Sequence, residues 1–139
     1  MTITNVTAGI ILIGDELLSG RTQDTNLGTI ARWLEPLGVE IGEARIVADE
    51  ANVISESVRA FSDRFDYVFT TGGIGPTHDD ITADCIAAAF GLGISERDDA
   101  IEMLRERYEL SELNEARRRM ARIPDGASLI KNPVSQAPG

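Results

Sequence analysis

At 139 residues, with 42% hydrophobic and 26% charged residues, the chain is long enough for one domain with a real core, and its composition excludes disorder. No apolar run approaches the roughly 20 residues that span a bilayer, and the start MTITNVTAGI lacks the basic and apolar regions of a signal peptide. A net charge of -10, from 23 Asp+Glu against 13 Lys+Arg, argues against nucleic acid or a membrane as partner. The single cysteine, Cys85, can form neither an intrachain disulfide nor a cysteine metal cluster, so a cytoplasmic protein is expected. By the same charge argument the chain should repel phosphorylated ligands, unless local features reverse it.

The first element is Ala8 to Ile13, a continuous apolar run stopped by Gly14 that suits a strand buried on both faces. A polar loop follows. Leu27, Ile30, Ala31, Leu34 and Leu37 then recur at helical spacing up to Gly38. Val39 to Val47 predicts a second strand, Asn52 to Arg64 a second helix with Ile54, Val58, Phe61 and Phe65 along one stripe, and Asp66 to Thr71 a third strand. Thr82 to Phe90 reads as an alanine-rich helix. Strand and helix alternating in this way predict a mostly parallel sheet with crossover helices, a three-layer α/β/α sandwich. Two more amphipathic helices are expected, one carrying Ile101, Leu104 and Tyr108 and one carrying Leu113, Ala116 and Met120, followed by a weak strand at Ala127 to Ile130. The chain stops at NPVSQAPG, with no strand after it, so a single domain over 1–139 that lacks its C-terminal end is the expectation.

In open α/β sheets ligands bind beyond the carboxyl ends of the strands. The candidates therefore fall in loops 14–26, 48–51 and 72–80. The third loop is the most specific. Gly72, Gly73 and Gly75, flanked by Thr71 and Thr77, allow close backbone approach and can turn several N–H groups toward a phosphate or carboxylate. A plain tight turn would need only one of these glycines. It is not a P-loop, because no lysine occurs between Arg64 and Lys131, and a dinucleotide fingerprint starting at Gly73 would need glycine where His78 stands.

Asp79 and Asp80 follow, and one of them suffices as a helix N-cap. The other is a candidate for Mg²⁺ or another divalent metal, which takes one or two carboxylates plus substrate phosphates. Asp15 and Glu16, after the first strand, suit a metal or ribose hydroxyls, while Asp24 reads as a helix cap and Asp49-Glu50 as ordinary charge at a helix start. His78 reads as a surface loop residue with a phosphate contact as the alternative, and Cys85 as a small core residue. Arg117, Arg118, Arg119 and Arg122 form either a solvated face or an anion-binding arm.

The run Gly14-Asp15-Glu16-Leu17-Leu18-Ser19-Gly20, continuing through Asp24-Thr25-Asn26, resembles the opening signature of the molybdopterin-binding domain. TTGGIGPTHDDIT, from Thr70 to Thr82, resembles its second and most specific signature. Within that superfamily the chain is most similar to the CinA-like (competence/damage-inducible) branch, from about residue 7 to the end, including NEARRRMARIP and KNPVSQAPG.

The resemblance implies a three-layer α/β sandwich that assembles as a homo-oligomer, trimer or dimer, with a small-molecule pterin or nucleotide (molybdopterin or adenine nucleotide) as ligand. It implies ligand contacts from Ser19 and Gly20 and from Thr71, Gly72, Gly73, Ile74, Gly75, Pro76 and Thr77. Asp80 and Asp49 take the places of active-site aspartates, with Asp15, Glu16, Asp79 and Asp80 as candidate metal ligands. Ile74 departs from the adenylyltransferase pattern, which has threonine there, and His78 and Asp79 depart as well. Both departures favour the CinA-like branch, whose members resemble nucleotide pyrophosphatases acting on ADP-ribose.

Two function classes follow. One is metal-assisted chemistry at a phosphoanhydride, either hydrolysis of a nucleotide pyrophosphate or adenylyl transfer to molybdopterin. The other is a module that binds the pterin without turning it over. A phospho-receiver domain is excluded, because it needs an aspartate at the end of the third strand, where Thr70-Thr71-Gly72-Gly73 stands.

Overall fold

The computed structural model of the chain describes residues 4–139, which divide into two compact units meeting in sequence at the Gly72–Gly73 peptide. In the N-terminal unit, β1 (Val6–Ile13) lies between β2 (Val39–Val47) and β3 (Tyr67–Thr71), with both pairings parallel. Ala8, Ile10, Ile11, Leu12 and Ile13 are at most 2% exposed, so the apolar run is covered on both faces, as expected.

The pleat assigns those faces. Gly9 faces the rings of Phe61 and Phe65, on and just after α3 (Ala51–Arg64). Leu12, which has the opposite parity, shares a groove with Leu27 and Gly28 of α2 (Asn26–Leu34) and with Ala44 and Ile46 of β2. One right-handed crossover runs from β1 out to β2 and a second runs back past β1 to β3, which puts their helices on opposite sides of the sheet. The three layers follow from that handedness. A short helix, α1 (Asp15–Leu18), stands in the first loop where only irregular chain was expected. Gly38, at φ 75°, ends the 3₁₀ turn after α2, as its sequence position predicted.

Two glycines let α3 press close to the sheet. A Cβ on Gly9 would collide with the rings of Phe61 and Phe65, and one on Gly42 would lie 2.5 Å from Phe65 Cε1. The register between β1 and β2 skips Gly42, which makes it a bulge residue. The two rings meet edge to face at 5.3 Å, with Arg45 stacked over Phe61 and Arg64 over Phe65. Both guanidiniums donate to Glu43, Arg45 at 2.7 Å and Arg64 at 2.6 Å. The hydrogen bond from Arg45, and then that from Arg64, holds the Glu43 carboxyl below its ordinary range.

In the C-terminal unit, α4 (Thr82–Ala89), β4 (Ile94–Glu96), α5 (Asp98–Arg105), α6 (Glu115–Arg118) and β5 (Arg122–Pro124) follow in order. Ala100, Leu104, Leu113, Met120, Ala121, Ile123 and Ala137 form its core. Two expectations are corrected here. Residues 127–130 form no strand; β4 and β5 pair with each other instead, antiparallel, from Ile94 opposite Pro124 to Glu96 opposite Arg122. Leu113, Ala116 and Met120 do not share one helix, because Leu113 leaves the helical region at ψ 71° and Asn114 caps a new start by accepting from the Arg117 amide at 2.9 Å. Among the described residues no helix is long and apolar enough to cross a membrane.

Gly9→Ala should lower unfolding stability by about 1–3 kcal/mol through overpacking against Phe61 and Phe65, read from the denaturant midpoint. Glu43→Gln should lower the melting temperature at neutral pH. Because the folded-state pKa of Glu43 is depressed, its contribution is present above the unfolded pKa and is lost as pH falls through the folded one. The two melting curves should therefore converge in acid, and a gap that stays constant with pH would refute the ion-pair account.

Candidate functional site

In the N-terminal unit the ends of the strands are tied together before any ligand is considered. The Gly14 amide donates to Val47 O at 3.0 Å, joining the ends of β1 and β2. Asp15 and Asp49, apart in sequence, then lock the first and second loops reciprocally. The Asp15 amide donates to Asp49 Oδ2 at 3.0 Å, and the Asp49 amide donates to Asp15 Oδ1 at 3.1 Å. Each carboxylate keeps one oxygen without a protein donor among the described residues. Asp24 caps the start of α2, accepting from the amides of Asn26 and Leu27 at 3.1 and 2.9 Å, as its sequence position suggested. Asn26 Nδ2 reaches Thr71 Oγ1 at 3.4 Å, so the first loop also touches the end of β3.

Ser19 is committed within its own loop: its Oγ accepts from Arg21 Nε at 3.1 Å and donates to Glu16 O at 3.3 Å. Gly20, at φ 81°, lines the groove between α2 and β2. The Glu16 carboxylate folds back over Gly14, within 2.5 Å of where a Cβ would stand.

β3 ends at Thr71, and the glycine loop begins. At Gly72, φ 92°, a Cβ would strike the carbonyl oxygen of Ile13, so glycine is required for β3 to close on β1. In the C-terminal unit, a Cβ on Gly73 would strike Thr82 Oγ1, and one on Gly75 would lie 2.8 Å from Asp80 Oδ2. The space left by these glycines is thus filled by the protein's own chain. The hydrogen bonding of the loop follows the same pattern. The Thr82 amide donates to Gly73 O at 3.1 Å, and Asp80 Oδ2 accepts from both the amide and the hydroxyl of Thr77, at 2.9 and 2.8 Å. What this leaves over is the site's main asset: among the described residues the amides of Gly73, Ile74 and Gly75 donate to no protein acceptor.

Neither Asp79 nor Asp80 caps α4, which corrects the capping alternative. The helix starts two residues beyond Asp80, with Ile81 at the N-cap position, and Gly73 O already takes the Thr82 amide. Asp80 is free to turn back onto Thr77. Asp79 pairs with His78 at 3.2 Å, and with side chains 68% and 86% exposed this surface pair adds little stability. Among the described residues no three His, Cys, Asp or Glu side chains converge as a metal-ion ligand set. The carboxylates fit a divalent cation only in the manner of Mg²⁺, which takes one or two carboxylates and completes its shell with water and substrate phosphates. The role of Thr82, the contact of Asn26 with Thr71 and the reciprocal use of Asp15 and Asp49 escaped the sequence reading. All four residues lie in the two recognised segments or the second loop, but no local spacing reveals partners 34 or 45 residues apart.

The geometry is that of an α/β ligand-binding domain with a glycine loop at the end of a parallel strand. Residues 9–139 match the family described as "Probable molybdopterin binding domain", and the chain belongs to it, in its CinA-like branch. A CinA-like protein of Frankia casuarinae is 39% identical over 140 residues, covering 95% of this chain and 32% of that protein. The crystal structure of the protein CinA, of unknown function, from Thermoplasma acidophilum has a TM-score of 0.91 at 34% identity, covering 97% of this chain and 80% of that one. The molybdopterin biosynthesis enzyme MoaB of Thermus thermophilus is more distant, with a TM-score of 0.56 at 26% identity over 80% of this chain and 69% of its own. The chain spans about half the length of the curated relatives it matches, such as a protein of Aeropyrum pernix that is 42% identical over 134 residues, 95% of this chain and 50% of that protein.

Asp15→Ala removes one acceptor of the reciprocal lock. Hydrogen exchange at the Asp49 amide should then accelerate about tenfold, equivalent to ~1.4 kcal/mol. Unchanged protection would show that Asp49 is held by something other than Asp15.

Proposed function

We propose that the chain binds the phosphate of a molybdopterin or an adenine nucleotide on the amides of Gly73, Ile74 and Gly75. We further propose metal-assisted cleavage of a phosphoanhydride, with a nucleotide pyrophosphate such as ADP-ribose or FAD as the substrate class. The observation that carries the reading is the run of three consecutive amide donors without a protein acceptor, in a loop already closed by Thr77, Asp80 and Thr82. Amides fixed in this way stabilise negative charge without reorganising at the moment of reaction.

In the proposed hydrolysis, water attacks one phosphorus of the anhydride, the bond from that phosphorus to the bridging oxygen breaks, and two phosphate esters leave. Asp80 is held through Oδ2 by Thr77, which leaves Oδ1 to accept the proton of the attacking water. A divalent cation would supply charge neutralisation on the departing phosphate. In the C-terminal unit, which carries the glycine-loop amides, the candidates to hold it are Asp79 and Asp80; in the N-terminal unit the unengaged oxygens of Asp15 and Asp49, with Glu16 beside them in sequence, form a separate candidate cation site. Adenylyl transfer to molybdopterin would use the same cradle, and the likeness to MoaB, named a molybdopterin biosynthesis enzyme, supports the pterin as an alternative ligand. The second reading is a module that binds the same ligand on the same amides without turning it over. Assembly as a trimer or dimer, inferred from the family resemblance, is part of the proposal.

The purified protein given Mg²⁺ with ADP-ribose, FAD, or ATP plus molybdopterin should release nucleotide products from at least one mixture. Asp80→Asn should reduce that turnover at least about 100-fold with the fold intact. Binding without turnover in every mixture would leave the module reading. AMP should shift the Gly73, Ile74 and Gly75 amide resonances; if they stay fixed while AMP binds elsewhere, the cradle assignment is wrong.

A further inference from the structure

The arginine-rich segment has no part in the reading above. In the C-terminal unit Arg118, Arg119 and Arg122 line a cavity of about 670 Å³ together with Asp84, Glu96 and Glu115. Two of these arginines are committed. Arg118 donates to Glu96 Oε1 through Nε at 3.1 Å and Nη2 at 2.7 Å, and Arg122 Nη2 donates to Asp84 Oδ1 at 2.8 Å. Arg119 differs from both. Among the described residues no carboxylate lies within ion-pair distance of it, and its Nε is shut off from solvent with no hydrogen-bond acceptor. A buried donor on a charged group left without an acceptor costs more than the ~1–3 kcal/mol of a neutral one. Glu115, one helical turn away, is the natural local partner and does not take the role.

We propose that this cavity is a second anion site, in which Arg119 receives an oxyanion, a phosphate or a carboxylate, carried by a small molecule. Arg119 Nε has no accessible surface, so the guanidinium meets such a group through its two Nη groups, whose parallel N–H donors match two oxygens. Arg118 and Arg122, each already tied to a carboxylate, hold the walls in place. The cavity is of the size that accepts a small organic molecule, larger than a bare ion needs. Three carboxylates balance the three arginines along the lining, so the site recognises its ligand through the donor geometry of Arg119 and has no net positive field. Glu115, the carboxylate without an arginine partner in the lining, opposes an incoming anion.

The test follows the Nε–Hε resonance of Arg119 in the full chain, identified by its absence from Arg119→Lys, during separate titrations with inorganic phosphate, AMP, acetate and chloride. Saturable shifts with phosphate or acetate and none with chloride are expected, and comparing those two arms tells phosphate from carboxylate. AMP against phosphate reports how much the rest of the ligand adds. Arg119→Lys should weaken binding about tenfold, and Glu115→Gln, which removes only the opposing charge, should tighten it. A resonance that stays fixed while AMP shifts the Gly73 to Gly75 amides would overturn this inference and spare the glycine-loop reading. A shift at Arg119 with fixed loop amides would do the reverse. Equal shifts with chloride would reduce the effect to ionic screening and overturn the site.

Discussion

The architecture at the carboxyl edge of the sheet depends on how closely β3 approaches β1 where it ends. The Ile13 carbonyl occupies the position where any side chain at residue 72 would begin, so the two strands can finish together only if that residue is glycine. The next glycines continue the same logic on the C-terminal side of the peptide, Gly73 against Thr82 and Gly75 against Asp80. The loop is closed by the Thr77 amide and hydroxyl on Asp80 Oδ2, by the Asp80 amide on Thr77 O and by the Thr82 amide on Gly73 O. A loop that held its shape through backbone turns would have consumed the amides of residues 73–75. Because Thr77, Asp80 and Thr82 do the holding, those amides are left over.

The N-terminal unit solves a related problem with carboxylates. Two aspartates brought side by side at the ends of neighbouring strands would repel each other, and each is instead given a backbone N–H from the other's residue. The exchange fixes the orientation of both carboxylates, costs no arginine, and leaves each with one oxygen. Two half-engaged carboxylates are suited to sharing a cation with a ligand. A fully assembled cage would bind the ion in the absence of substrate.

Much of the fold was legible because its signals are local. An unbroken β-branched run means a strand buried on both faces, and β1 is that strand; Gly38 after a 3.6-residue stripe means a helix end, and the chain adopts φ 75° there. Signals failed where elements are short or defined by partners. β4 and β5 have three residues each, too few for a period of two to show, and Leu113 to Met120 carries a helical spacing that the Asn114 cap interrupts. The glycine loop was found, but for only half of its physical reason. Three glycines suggested room for a ligand, whereas that room is taken by Ile13, Thr82 and Asp80, and what the loop leaves over is the unpaired amides. Asp15 and Asp49 were both picked out as acidic loop residues, yet their mutual hydrogen bonds depend on the pairing of β1 with β2, which no spacing encodes.

A net charge of -10 looks hostile to anions, but the charge is not spread evenly over the chemistry. Seven of the twelve arginines are already paired with a carboxylate: Arg45 and Arg64 with Glu43, Arg97 with Asp99, Arg105 with Glu102, Arg117 with Glu112, Arg118 with Glu96 and Arg122 with Asp84. The pairs of Arg64, Arg118 and Arg122 cross from one element to another, and the paired arginines contribute little attraction at a distance. The sites proposed above act at short range, through backbone dipoles in the glycine loop, which carry no net charge, and through the Arg119 guanidinium, which is paired with no carboxylate among the described residues. Sites of this kind would act by contact geometry and not by long-range steering, so an acidic chain and the proposed phosphate ligand are compatible. Net charge is a sum over the whole surface, whereas the proposed contacts depend on a few donors, and the acidity that appeared to exclude a phosphate therefore does not decide the matter.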